Sequence, residues 1–305
     1  MGIADSDPLT VNFDALGYET AYYAVNMGSA LIIYILMPFG ITFMLFVRRI
    51  SYARFPKLHK KARRYVDEFF YNGMIMSVEE MYIIVLICIF VNFQKIREEG
   101  FIVDVNTIAL IINAIVCLFY PILVIALCFV EKETLLDDSV ADRIGVLYEE
   151  LDLERKGKIV LSHHIASITR RLIFATVLVF ATAYPVFQVF TLMLTCLVSI
   201  LLVAHVKPFP SRSENYWEVV NETQVTVTLY FLFGVTDIVA DPEIKEQVGW
   251  GMISCTSCTL TICLLRAGLR SFVEFYRIVR AKFVKYIRKT RDKDNRAKGP
   301  PKKHF

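Results

Sequence analysis

The sequence predicts an all-α polytopic membrane protein: seven transmembrane helices, N-terminus outside and C-terminus inside, then an amphipathic helix on the inner face. Three observations predict it. The 305 residues are 55% hydrophobic against 21% charged, with a mean hydropathy of +0.48, more apolar surface than one or two water-soluble domains would carry. The apolar residues fall in solid runs, several near or beyond the ~20 residues that cross a ~30 Å hydrocarbon core. The basic residues sort to one side of those runs. Disorder, a collagen repeat, a disulfide scaffold and a soluble dinucleotide-binding fold are excluded, and solid runs also exclude the alternating ~10-residue segments of a lipid-facing barrel.

The spans follow in order. The first covers 22–47, the second 74–93 and the third 105–130. The stretch 171–206 is too long for one span, and Pro185 interrupts it; a mid-helix proline breaks the hydrogen-bond ladder, so it reads as a fourth and a fifth helix joined by a tight turn near Ala183-Tyr184-Pro185. The sixth covers 217–240 and the seventh 248–269. This division leaves 31 of the 34 Lys and Arg in connections on one side. Basic residues stay on the inner side of a membrane, which sets the orientation. Trp217 and Trp250 then open the sixth and seventh spans at opposite interfaces, where aromatic anchors sit.

Three segments flank this bundle of 22–270. The outer segment 1–21 is short; Met1-Gly2 opens a myristoylation-like pattern, but an outer end would not meet the cytosolic transferase. The inner loops 48–72 and 131–164 are basic and mixed in charge, the second lying on the surface. From 271 to 305 the chain is basic: Phe272, Phe275, Tyr276, Val279, Phe283, Tyr286 and Ile287 recur at helical spacing, with Arg277, Arg280, Lys282, Lys285, Arg288 and Lys289 between them. That pattern reads as an interfacial helix against anionic headgroups, cardiolipin among them. Its apolar stripe points to lipid rather than to nucleic acid.

Charge inside the spans carries the most information. Glu79 and Glu80 lie about two turns into the second span, Arg170 and Arg171 at the inner start of the fourth, Glu218 and Glu222 one turn apart in the sixth, and Arg266 and Arg270 one turn apart in the seventh. Four carboxylates and four guanidiniums therefore share one depth. An intramembrane charge costs about 2.5–3.5 kcal/mol on insertion scales, so such groups pair inside a bundle. The first reading is an ion-pair network that fixes helix register; the second, an ion or proton path, needs polar residues through the whole thickness, and the outer half offers only Asp237, Asn113 and the Ser and Thr of 254–261.

Other candidates carry less. His163, His164 and His205 fall at the inner ends of the fourth and fifth spans, where two imidazole-bearing helices could hold haem or a metal; headgroup hydrogen bonds are the commoner role. Cys255-Thr256-Ser257-Cys258 spells CxxC but lies within a span, away from the solvent-facing helix start that redox pairs use. The seven cysteines sit in apolar runs as small packing residues. No phosphate-binding glycine loop, nucleophile elbow or zinc-protease motif occurs, so no enzyme, metal or cofactor is expected beyond bound phospholipid. Asn221-Glu222-Thr223, the one glycosylation sequon, falls in the sixth span.

A set of short motifs extends the reading: Leu147-Tyr148-Glu149-Glu150-Leu151, Arg170-Arg171-Leu172, Gln188, Lys207-Pro208-Phe209, Asn221-Glu222, Thr236-Asp237 and Gly249-Trp250. In order and spacing this set resembles the C-terminal multipass, TRP-channel-like region of large ciliate membrane proteins, over about 145–272, with Asn26-Met27-Gly28 of the first span a fainter match. The resemblance implies a helical membrane domain preceded by a large extracellular region, and a pore between the last two spans. Here only about 21 residues precede the first span, and the 241–248 connection is too short to re-enter as a filter. The expected function is therefore a non-catalytic structural or accessory subunit of a larger membrane assembly, with other membrane subunits and anionic lipids as partners. A ciliate-like sequence of this kind suits a mitochondrial inner-membrane, respiratory complex rather than the cell surface. The alternatives are a TRP-like ion channel and a seven-span sensory protein; against the latter, Asp142-Arg143 lies in a loop and no NPxxY closes the seventh span.

Overall fold

A computed structural model describes residues 23–54, 59, 66, 72–99, 105–236 and 238–297. The predicted outer segment 1–21, Asp237 and the tail from 298 lie outside the described residues, as do the side chains of Lys282, Lys285, Arg288 and Lys289. Among the described residues all regular structure is helical, and seven helices are long: α1 (Gly28–Arg54), α2 (Met74–Glu99), α3 (Val105–Leu127), α4 (Leu161–Phe180), α5 (Pro185–Val206), α6 (Arg212–Val235) and α7 (Pro242–Ala297). Each predicted span falls on one of them. Four regions are long and apolar enough to cross a membrane: Met74–Gln94, Asn106–Leu127, Pro185–Val206 and Pro242–Ala281. The chain divides after Ala240 into two compact units.

In the first unit α2 packs on α3 and α4, α4 also packs on α5, and α5 pairs with α6. The core gathers Tyr82, Val85, Cys88 and Val91 of α2, Val124 and Leu127 of α3, and Ala175 and Val179 of α4. Cys88 and Ala175 are wholly buried; side chains this small let helix backbones approach closely, the packing that lipid-phase helices rely on. A second cluster, Val189 and Cys196 of α5 with Leu229 of α6, closes the other side. The single turn Tyr23–Asn26 ahead of α1 buries Tyr23 and Met27 against α2 and α3.

The expected break at Pro185 is present. α4 ends at Phe180, and Pro185 takes the first turn of α5, where its missing N–H costs nothing. Gln188 Nε2 then donates to the Val177 and Leu178 carbonyls at 3.1 and 3.3 Å, in the last turn of α4, where carbonyls run short of helical partners; the Val177 carbonyl also accepts the Ala181 N–H. Gln188→Ala should lower stability by about 1 kcal/mol, read as a lowered melting temperature of the purified chain in detergent.

Two expectations are corrected. α4 begins at Leu161, ten residues before the predicted start, so Arg170 and Arg171 sit mid-helix rather than at its inner end. The polar stretch Ser162-His163-His164 hid this start from a hydropathy reading; one face of it packs against protein rather than lipid. The segment 131–160 is also not a surface loop. Its short helices, Lys132–Leu135, Asp138–Ile144 and Leu153–Lys156, with 3-10 turns at Gly145–Leu147 and Gly157–Val160, bury Leu135, Leu147, Leu153 and Val160 in the main core. The Tyr148 hydroxyl donates to the Leu135 carbonyl at 2.7 Å, and burial pushes this phenol's pKa up.

Lysines of the segment close helix ends. Lys158 Nζ donates to the Cys128 carbonyl (2.9 Å) just past α3, and Lys156 Nζ to the Val206 (3.4 Å) and Lys207 carbonyls at the end of α5. Ammonium groups suit C-terminal carbonyls electrostatically as well as by hydrogen bonding. Lys207 ends α5 in the left-handed conformation (φ 52°), and the next carbonyl, of Pro208, accepts the Asp152 N–H at 2.8 Å. Asn215 ties the following turn to α6 through the Phe209 and Ser211 carbonyls, at 2.7 and 2.8 Å.

α7, the second unit's helix, runs 56 residues without interruption. At 1.5 Å per residue that is about 84 Å, well over twice a bilayer core. The predicted amphipathic segment 272–287 is its continuation and not a separate helix, and the boundary expected at 270–271 falls inside it. No proline follows Pro242 until Pro300, and no glycine falls between Gly268 and Gly299, so the local chemistry offers no stop there.

Candidate functional site

The long polar side chains of the first unit converge at the end of the bundle that the 131–160 segment covers. Helical spacing explains how. On α4, His163, Ser167 and Arg171 recur every four residues and so share one face; all three line a cavity of about 390 Å³. Glu79 and Glu80 of α2 form another wall, Glu218 of α6 a third, and Tyr148, Glu150 and Leu151 of the folded segment the lid, with Phe209 from the α5–α6 turn beside them.

Arg171 donates to the Glu79 carbonyl at 2.7 Å, joining α4 to α2. The Glu79 carboxylate lies 3.8 Å from His164 Nδ1, and the Tyr120 hydroxyl of α3 lies 3.3 Å from His164 Nε2. One ring of α4 thus touches two other helices, α2 and α3. Tyr82 stacks at a tilt on Tyr120, ring centroids 5.4 Å apart, and His163 meets Phe209 edge-on at 5.3 Å.

Arg170 turns the other way, toward α6. Its guanidinium donates to Glu222, whose side chain is only 4% exposed, in an ion pair between α4 and α6. The Cys196 thiol of α5 sits against the same pair. A carboxylate buried this deeply is tolerated only with such a partner, because desolvating an unpaired charge costs several kcal/mol.

Of the eight charges expected in one layer, the structure brings six together: Glu79, Glu80, Arg171 and Glu218 on the cavity, Arg170 and Glu222 in the pair beside it. Arg266 and Arg270 lie one turn apart on α7 in the second unit. Arg277 and Arg280 lie further along α7 with exposed side chains. His205 is exposed near the end of α5, and among the described residues no three His, Cys, Asp or Glu are grouped to hold a metal ion. Cys255 and Cys258 lie within α7 as thiols rather than as a disulfide.

Sequence reasoning missed the lid. The signal was present in Leu135, Leu147, Tyr148, Leu151, Leu153 and Val160, apolar residues too frequent for a solvated loop. Most motifs behind the TRP-like resemblance hold turns and joints in this unit: Tyr148, Arg170, Gln188, Pro208 and Glu222 each make one of the contacts above. No protein-family model, no curated protein and no solved structure matches this chain.

Proposed function

We propose that the chain is a non-catalytic structural subunit of a larger membrane assembly, crossing the bilayer seven times with its basic connections inside. One observation carries the reading. Arg170 and Arg171 of α4 tie that helix to Glu222 of α6 and to the Glu79 carbonyl of α2, while α3 and α5 turn large apolar side chains outward. On α3 the exposed stripe is Ile108, Ile111, Ile115, Leu118, Ile122 and Ile125; on α5 it is Phe187, Phe190, Leu194, Leu197 and Leu201. Both follow the three-to-four-residue period of a single helix face, and stripes of this extent are covered by lipid or by neighbouring subunits. The basic half of α7 supplies the contact to anionic lipid such as cardiolipin, and a mitochondrial inner-membrane complex is the assembly we favour.

Gentle detergent extraction from native membranes, size separation and mass spectrometry test this. Co-migration with a megadalton complex is the expected result, and a respiratory complex in the same band would assign the compartment. Migration as a lone small oligomer overturns it. A TRP-like channel is the second reading, favoured by the carboxylates around the loop-end cavity. Planar-bilayer conductance that changes with Glu79→Gln would support it.

A further inference from the structure

The cavity at the lid end has the makings of a binding site, whichever assembly the chain serves. We propose that it binds a small organic cation, a primary ammonium carrying an apolar or aromatic group. Its volume, about 390 Å³, falls in the range of small-molecule pockets. Four carboxylates face it from three separate parts of the chain: Glu79 and Glu80 of α2, Glu150 of the lid and Glu218 of α6. Among the described residues Arg171 is the one guanidinium in the wall, and it already donates to the Glu79 carbonyl. His163 and His164 also face the space, one held edge-on by Phe209, the other close to Tyr120 and Glu79. The sign of the lining therefore selects a cation.

The spread of the carboxylates selects its size. A calcium ion draws six to eight oxygens to about 2.3–2.6 Å of one point, whereas among the described residues no three acidic, His or Cys side chains close on one point. A ligand several ångströms long reaches separated carboxylates where a bare ion does not. Phe209 supplies an aromatic wall, which suits an ammonium or the apolar end of the ligand.

The test uses the full chain in phosphatidylcholine nanodiscs, titrated calorimetrically with 2-phenylethylamine and its neutral isostere 2-phenylethanol, with empty nanodiscs subtracted. The expected result is saturable one-to-one binding of the amine, with the alcohol at least tenfold weaker. Glu80→Gln and Glu150→Gln are the variants of choice, because both side chains are exposed and the melting temperature will show the fold intact. At least one should weaken amine binding fivefold or more. Equal binding of amine and alcohol, amine binding unaltered in both variants, or no saturable binding each overturns the proposal. So does a calcium titration that saturates, and is lost in the two variants, where the amine does not bind.

Discussion

Arg170→Met should lower the unfolding free energy of the first unit by about 3–5 kcal/mol, because it leaves a buried carboxylate without its partner. The two ends of the pair are not equivalent. Glu222 is 4% exposed and Arg170 29%, so the guanidinium has a route to the surface along its aliphatic stem while the carboxylate has none. Glu222→Gln should therefore cost less, about 1–2 kcal/mol. The double variant Arg170→Met with Glu222→Leu should return to within about 1 kcal/mol of the parent, since an apolar pair of similar volume replaces a desolvated ionic one. Reversible unfolding in bicelles of the parent, Arg170→Met, Glu222→Leu and the Arg170→Met/Glu222→Leu double closes the cycle. A coupling near zero would mean that the pair sets no helix register and that α4 and α6 are held by packing alone.

The same pair shows what the sequence made legible. Four carboxylates and four guanidiniums at matching depth were enough to expect pairing inside the bundle, because charge in an apolar run has few alternatives; which helices pair was not readable. Pro185 was equally readable, since its missing N–H permits few positions in a helix. The start of α4 was not. Ser162, His163 and His164 read as a polar loop, and the neighbours that hold the two imidazoles in a half-buried helical turn are Tyr120, Glu79 and Phe209. These partners lie 44 to 85 residues away along the chain, beyond any local pattern. The lid was hidden for a related reason: its apolar residues are interleaved with the lysines that cap α3 and α5, so averaged hydropathy cancels. For α7 the apolar and amphipathic stretches were each visible, but nothing in composition separates a helix that continues from one that stops and restarts.

Leu147→Ala should detach the lid. Leu147 is 2% exposed and shares its cluster with the wholly buried Leu135, Val160 and Leu161, so truncation removes contacts and leaves a cavity at a cost of about 2–5 kcal/mol. The lid holds to the bundle through that cluster, the Asp152 N–H to Pro208 carbonyl bond and the lysine caps. The loss should therefore appear first as local opening rather than as unfolding of the helices. Trypsin reports it directly. Arg155, Lys156 and Lys158 are cleavable only when their backbone leaves the folded segment, so Leu147→Ala should be cut there at least tenfold faster than the parent. Leu136→Ala, at a side chain already 41% exposed, should be cut at the parent's rate. Equal rates in the two variants would show that the buried cluster does not anchor the segment. Because Tyr148 and Glu150 form part of the cavity wall, the opening that exposes the tryptic sites should also weaken 2-phenylethylamine binding, while the Arg170–Glu222 pair, beside the cavity and outside the lid, continues to hold the helices in register.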